Sequence, residues 1–171
     1  MRLRHSAPPG ATSGMEYKAG LPIPEPLVEA LRCLRAPTPN LLLDHNAIAH
    51  LPVYGGAYAL ALLLDREIEV RRGRKTETIN PGWYVYAGNA NGPGGIRARL
   101  ARHLRQEKPV RWHIDQLTIK AGYRAGLPVP GGDECAIVTQ LLGTACFAPS
   151  SPGFGSSDCS KCVSHLLRYC A

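Results

Sequence analysis

Apolar residues in this chain fall into short runs whose period changes along the sequence. In EPLVEALRCLR, Leu27, Leu31 and Leu34 recur at helical spacing around Pro26, a residue suited to a first helical turn, and Pro37 and Pro39 close the pattern. LLLDHNAIAHLP (41–52) fits a strand or a helix. GAYALALLL (56–64) has the length and flanks of a buried strand, and EIEVRRGRKTETI (67–79) alternates about Gly73 as a hairpin does. Asn80-Pro81-Gly82 is a turn, after which WYVYAG (83–88) forms another strand, so short connections predict an antiparallel meander. The period then becomes helical, from about Gly95 to Gln106, from Trp112 to Leu117, and through GGDECAIVTQLL with Asp133 as N-cap and Gly143 as stop.

Strands first and helices afterwards imply an α+β domain, a small central antiparallel sheet flanked by helices. Residues 1–20 are rich in Pro, Gly, Ser and Ala without apolar periodicity and read as a disordered tail. The expected organisation is an N-terminal extension, 1–50, partly disordered with one short helix, followed by a folded domain, 51–171. A chain of 171 residues that is 44% hydrophobic can supply one real core. The longest apolar run, Ala57 to Leu64, is strand-sized, so no membrane partner is expected. MRLRHSAPPGATSG has no apolar stretch behind its basic start and does not read as a secretory signal. The expectation is a cytoplasmic protein, with nucleoid or nucleus as alternatives. Its six cysteines are then buried thiols, metal ligands or redox groups.

Charge adds a partner. Lys and Arg total 20 against 13 Asp and Glu, a net charge of +7. The excess concentrates at Arg97, Arg99, Arg102, Arg105, Lys108 and Arg111, interrupted by Glu107 alone. Such a segment suits a polyanion or is simply a solvated helix face. At about 100° per residue, Ile96, Leu100 and Leu104 form the core stripe, with His103 about 20° from Ile96 and Arg99 beside it. Both sit at the core edge, while Arg102 and Arg105 face solvent or make an outer phosphate contact. A guanidinium at a core edge requires a partner, and its planar fork fits phosphate oxygens.

NANGPGG (89–95) lies between a strand end and a helix start, where free N–H groups favour an anion. It is neither a P-loop nor a GxGxxG fingerprint. Strand alternation puts Tyr84 and Tyr86 on one face, with Trp83 and Val85 on the other. A tyrosine can serve as general base only if a cation lowers its pKa from about 10, and Arg99 could supply that charge.

GAY at 56–58, YAG at 86–88, Arg99 with His103 one turn later, and Glu134 early in a later helix resemble the GIY-YIG nuclease superfamily. The long gap between the tripeptides, WHIDQL at 112–117 and PGFGSSDC at 152–159 resemble its Uri-type endonuclease branch, some members of which are fused to endonuclease III-type repair glycosylases. The resemblance covers about residues 53–171. It implies a metal-dependent endonuclease hydrolysing phosphodiester bonds in DNA, with a place in DNA repair; RNA stays open as a substrate. Tyr58 and Tyr86 match the motif tyrosines and Gly88 the motif glycine that lets backbone and substrate approach. Arg99 matches the phosphate-stabilising arginine, His103 the histidine after it, and Glu134 the carboxylate for Mg²⁺ or Mn²⁺.

One carboxylate suffices for an ion that prefers oxygen ligands and may keep several waters. Asp133 is adjacent, so which acid faces the sheet stays open, and an acid in a first helical turn also stabilises the dipole. His113 is a further candidate or an ordinary hydrogen-bonded histidine. Alanine replaces isoleucine in both tripeptides, and the asparagine expected after the metal glutamate is missing, its place falling to Ser156, Ser157 or Asp158. The alternative is a non-catalytic nucleic-acid-binding module of the same fold.

Cys159, Cys162 and His165 form C-x-x-C-x-x-H, with Cys146 and Cys170 as possible fourth ligands. Two thiolates, an imidazole and another cysteine would make a closed structural zinc site, distinct from the catalytic metal. Buried or redox thiols, and packing for His165, are the other readings.

Overall fold

The computed structural model describes residues 23–34 and 42–170; the expected tail at 1–20 lies outside them. Its elements run α1 (Glu25–Arg32), α2 (His45–Ala49), β1 (Gly56–Leu64), β2 (Ile68–Arg72), β3 (Lys75–Ile79), β4 (Gly82–Asn89), α3 (Gly95–Leu104), α4 (His113–Thr118), β5 (Tyr123–Pro130), α5 (Glu134–Gly143), β6 (Phe147–Pro149) and β7 (Leu166–Tyr169). The class is α+β: a five-stranded antiparallel sheet of order β5-β1-β4-β7-β6, a separate two-stranded sheet β2-β3, and flanking helices. Among the described residues no helix is long and apolar enough to cross a membrane.

Central strand β1 is apolar throughout because both its faces are covered. Tyr58, Leu60, Leu62 and Leu64 point into one core with Tyr84, Ile96, Leu100, Ile114, Leu117 and Phe154. Ala57 and Ala59 point into the other with Val85, Ala87, Leu27 and Leu31 of α1, and Ile137, Val138 and Leu141 of α5. The small alanines leave room for α1 and α5, whereas the large face of β1 receives α3. The faces of Tyr84, Tyr86 and Val85 follow the expected alternation.

The connections differ from the expected meander. β1 pairs directly with β4, Tyr58 opposite Gly88, and the β2-β3 hairpin leaves the sheet. Its alternation is that of a ribbon with one covered face: Ile68, Val70 and Ile79 are buried, while Glu69, Arg71 and Thr78 are exposed. The place beside β1 is taken by β5, where Gly126, Pro128 and Pro130 obscure the strand pattern. Proline is tolerated there because β5 lies at the sheet edge. The ambiguous 41–52 segment divides: Leu43 bridges to Gly126, then Asp44 caps α2 by accepting from the Ala47 N–H at 2.8 Å.

Candidate active site and metal cluster

β1, β4, α3, α4, α5 and the loop before β7 enclose a cavity of about 300 Å³. Tyr58 and Tyr86 reach it from neighbouring strands, Arg99 and His103 from α3, and Glu134 from the first turn of α5. Two glycines make this possible. A Cβ on Gly88 would collide with the ring and hydroxyl of Tyr58, and a Cβ on Gly155, itself at φ +69°, would lie 2.6 Å from the Tyr86 ring. Gly88 thus makes room for Tyr58 and does not itself line the cavity.

Tyr58 and His103 are both buried, and the Tyr58 hydroxyl lies 2.8 Å from His103 Nε2. On the other side of the ring, His103 Nδ1 is 3.6 Å from Oδ1 of Asp115, whose side chain is wholly buried. This is too long for a closed hydrogen bond, yet neither atom makes any other hydrogen bond, so the contact is electrostatic and orients the imidazole. The other oxygen, Oδ2, accepts from Arg102 Nη2 at 2.7 Å and from the backbone N–H groups of Arg111 and Trp112 at 2.9 and 3.1 Å. Burial alone would raise the Asp115 pKa; His103 first, then the Arg111 and Trp112 N–H groups and Arg102, outweigh it and hold the carboxyl well below the usual carboxylate range. Lys108 Nζ is 3.9 Å from Oδ1 and donates to the His103 carbonyl at 2.7 Å; burial, only partly countered by Asp115, brings its pKa down to about 8.

His103 itself is pushed down, chiefly by burial with Lys108 and Arg102 adding, against the pull of Asp115. It is therefore neutral near pH 7. Burial also raises Tyr58 well above the usual phenol value and Tyr86 to about 12; Arg99 acts in the opposite direction on both but does not prevail. The expectation that Arg99 prepares a phenolate is thus corrected. Desolvation dominates, and Tyr58 is a neutral O–H facing a neutral imidazole.

Arg99 forms no salt bridge among the described residues; its guanidinium lies 4.6 Å from the Trp112 ring centroid at the cavity wall. Arg102 corrects the wheel: it turns inward to Asp115, its side chain only 19% exposed, and Asp115 is the reason. Arg105 remains exposed. His113 is not part of the cavity lining and packs edge-on to Phe154 at 6.2 Å, while its neighbours Trp112 and Ile114 line the wall. Residues 91–95 of the glycine loop do not line the cavity; the Gly95 and Ile96 N–H groups donate to the Gly92 and Tyr54 carbonyls.

Asp133 caps α5, accepting from the Ala136 N–H at 2.9 Å, and of the two neighbouring acids it is Glu134 that lines the cavity. Glu134 Oε1 lies 3.4 Å from Asn89 Nδ2. Asn89 was missed in the sequence because it stands before, not after, the glutamate. Of the three residues considered for the missing asparagine, Asp158 lines the cavity, whereas Ser156 is buried with its hydroxyl 3.3 Å from the Val163 carbonyl.

Cys135, Cys159, Cys162 and His165 place their ligand atoms within 4.8 Å of one another, a group that could hold a metal ion such as zinc. The fourth member is Cys135 on α5, not Cys146 or Cys170. Those two lie across the β6–β7 pair, where the Cys170 N–H donates to the Cys146 carbonyl at 2.9 Å. Cys135 Sγ is 3.4 Å from Cys159 Sγ and 3.9 Å from His165 Nε2. Backbone N–H groups of Lys161 and Cys162 lower the Cys159 thiol to about 6, which makes it the readiest thiolate, while burial first and the neighbouring thiols next push Cys135 up to about 12. Glu134 and Cys135 are sequence neighbours, and His165 lines the cavity, so the cluster adjoins the site.

A family described as "Domain of unknown function DUF123" matches residues 57–171, and the chain belongs to it. No curated protein and no solved structure matches the chain.

Proposed function

We propose that this DUF123 domain is a divalent-metal-dependent endonuclease of the GIY-YIG, Uri-type kind, hydrolysing phosphodiester bonds in DNA and serving DNA repair. The observation that carries the reading is the convergence in one cavity of Tyr58, Tyr86, Arg99, His103 and Glu134, which lie on four different elements. Separated sequence positions acquire a common purpose only through such a site.

Oxygen donors suit Mg²⁺ or Mn²⁺, and the cavity supplies them at Glu134 and Asp158, which would hold the ion, while the Asn89 amide N–H orients the Glu134 carboxylate. When bound, it provides Lewis-acid stabilisation of the phosphate. Arg99, which pairs with no carboxylate among the described residues, neutralises charge growing on the phosphate oxygens. The attacking water passes a proton to the Tyr58 oxygen while the Tyr58 proton moves to His103 Nε2. Asp115 steadies the resulting imidazolium. Tyr86, held by Gly155, completes the wall against which the phosphate is positioned.

At the neighbouring cluster, three sulfurs and an imidazole fit zinc: a tetrahedral ion with Zn–S bonds of about 2.3 Å needs ligand spacings of roughly 3.8 Å. We assign it a structural role that ties α5 to the segment before β7. A second reading, a non-catalytic nucleic-acid-binding module, draws on the raised tyrosine pKa values. The deciding experiment is a cleavage screen over intact, damaged, flapped and branched DNA, and RNA, with Mg²⁺ or Mn²⁺. Cleavage abolished by Glu134→Ala and by Arg99→Ala with binding spared supports the enzyme. Binding without cleavage of any substrate supports the module.

A further inference from the structure

The β2-β3 ribbon lies outside the main sheet, and its charges are sorted along its length. Asp65, Glu67 and Glu69, with Arg66 among them, stand at its base; Arg71, Arg72, Arg74 and Lys75 crowd its tip around Gly73, which turns the chain at φ +60°. Arg72 is used internally. It pairs with Glu77 at 2.7 Å, donates to the Pro152 carbonyl at 3.0 Å and covers the Phe154 ring. Arg71, Arg74 and Lys75 are exposed and pair with no carboxylate among the described residues.

The tip is braced against two walls of the cavity. Gln116 of α4 clamps the Arg71 backbone, accepting its N–H and donating to its carbonyl, both at 2.9 Å. The same helix carries Asp115, and Trp112 and Ile114 at its start line the cavity. On the other side, Glu77 accepts from the Ser151 hydroxyl at 2.6 Å, and Arg72 holds the Pro152–Phe154 segment that leads directly into Gly155 of the cavity lining. A solvated basic turn requires neither brace. Ordering unpaired like charges at one end of a rigid ribbon costs repulsion that a polyanion offsets.

We propose that this ribbon is a duplex-DNA arm: its tip, through Arg71, Arg74 and Lys75, grips the phosphate backbone of B-form DNA beside the scissile bond. The inference rests on the nucleic-acid reading of the cavity. It selects duplex because residues 65–79 contain no aromatic side chain, whereas single-strand sites combine positive charge with stacking rings. It selects DNA because a two-stranded ribbon fits the major groove of B-DNA, while that of A-form RNA is deep and narrow.

The test is equilibrium binding of the full chain in EDTA to a labelled duplex of about 30 base pairs across a salt series, for wild type and for Arg71→Ser/Arg74→Ser/Lys75→Ser. Each lost phosphate contact should reduce the slope of log K against log salt by about 0.9, so a fall of roughly 2 to 3 is expected. A matched single strand should lose less. Arg74→Glu, a single exposed change, should weaken duplex binding by more than about tenfold at low salt and provides the test if the triple variant is unstable. An unchanged duplex slope overturns the arm, as does equal loss on the single strand or absence of salt-sensitive binding by wild type. Hydrolysis plays no part in this assay. Ribbon-dependent binding without cleavage in Mn²⁺ defeats the nuclease reading alone, and cleavage with an unaltered slope defeats the arm alone.

Discussion

The cavity has two corners built on opposite principles. At the α3–α4 corner, Asp115, His103, Arg102, Lys108 and Tyr58 form a buried network in which one carboxylate faces two cations of the protein's own. At the α5 corner, Cys135, Cys159, Cys162 and His165 gather soft donors whose only mutual contacts are long ones to sulfur. The first corner pairs its carboxylate within the protein, though Arg102 Nε, His103 Nδ1 and Asp115 Oδ1 make no hydrogen bond; the second has the chemistry of a group that an ion would complete. Metal should therefore govern the stability of one and internal electrostatics that of the other.

The largest effect is expected at the cysteine corner. Cys159→Ser should abolish stoichiometric zinc and cost more than about 5 kcal/mol, seen as a Tm fall of roughly 10 °C or more. An unchanged metal content and Tm would remove the structural ion from the account. Next, Asp115→Ala should cost about 3–5 kcal/mol in urea denaturation, because it leaves Arg102 and Lys108 beside an uncompensated site, with zinc content unaltered. The pH sign follows. Asp115 titrates lower in the folded state, so its contribution is full above about pH 4 and is lost as pH falls further. Acid Tm profiles of wild type and Asp115→Asn should converge below that point; parallel profiles contradict the network.

Within the cavity, Glu134→Gln should reduce cleavage about 100- to 1000-fold in single-turnover assays without moving Tm, since the carboxylate is partly exposed. His103→Gln should cost about 100-fold. Because burial keeps His103 neutral, wild-type cleavage at fixed metal occupancy should hold down to about pH 6.5 and decline only below it. A decline beginning above pH 7 speaks against His103 as the proton acceptor. The smallest effect, about 1 kcal/mol, is expected for Asp133→Ala, which removes a helix cap while leaving zinc and cleavage intact. Should it instead abolish cleavage, the division of labour between Asp133 and Glu134 is reversed.

Local chemistry determined much of this protein. The apolar run of β1, the alternation of β2 and β3, the aromatic strand β4, the wheel of α3 and the Asp133 cap were legible because each reflects burial or capping within a few residues. The same argument put His103 at the core edge, and the fold buries it fully. Tertiary structure decided the rest. It removed the hairpin from the sheet, gave β5 its edge position despite its prolines, and turned Arg102 inward onto Asp115. It brought Cys135, 24 residues before Cys159, to the C-x-x-C, and set Asn89 across from Glu134. It also outweighed the expected influence of Arg99 on the tyrosines, since desolvation depends on everything packed around a group. Periodicity records which side of an element is buried; which buried groups meet depends on how the elements cross, and no sequence window contains that distance.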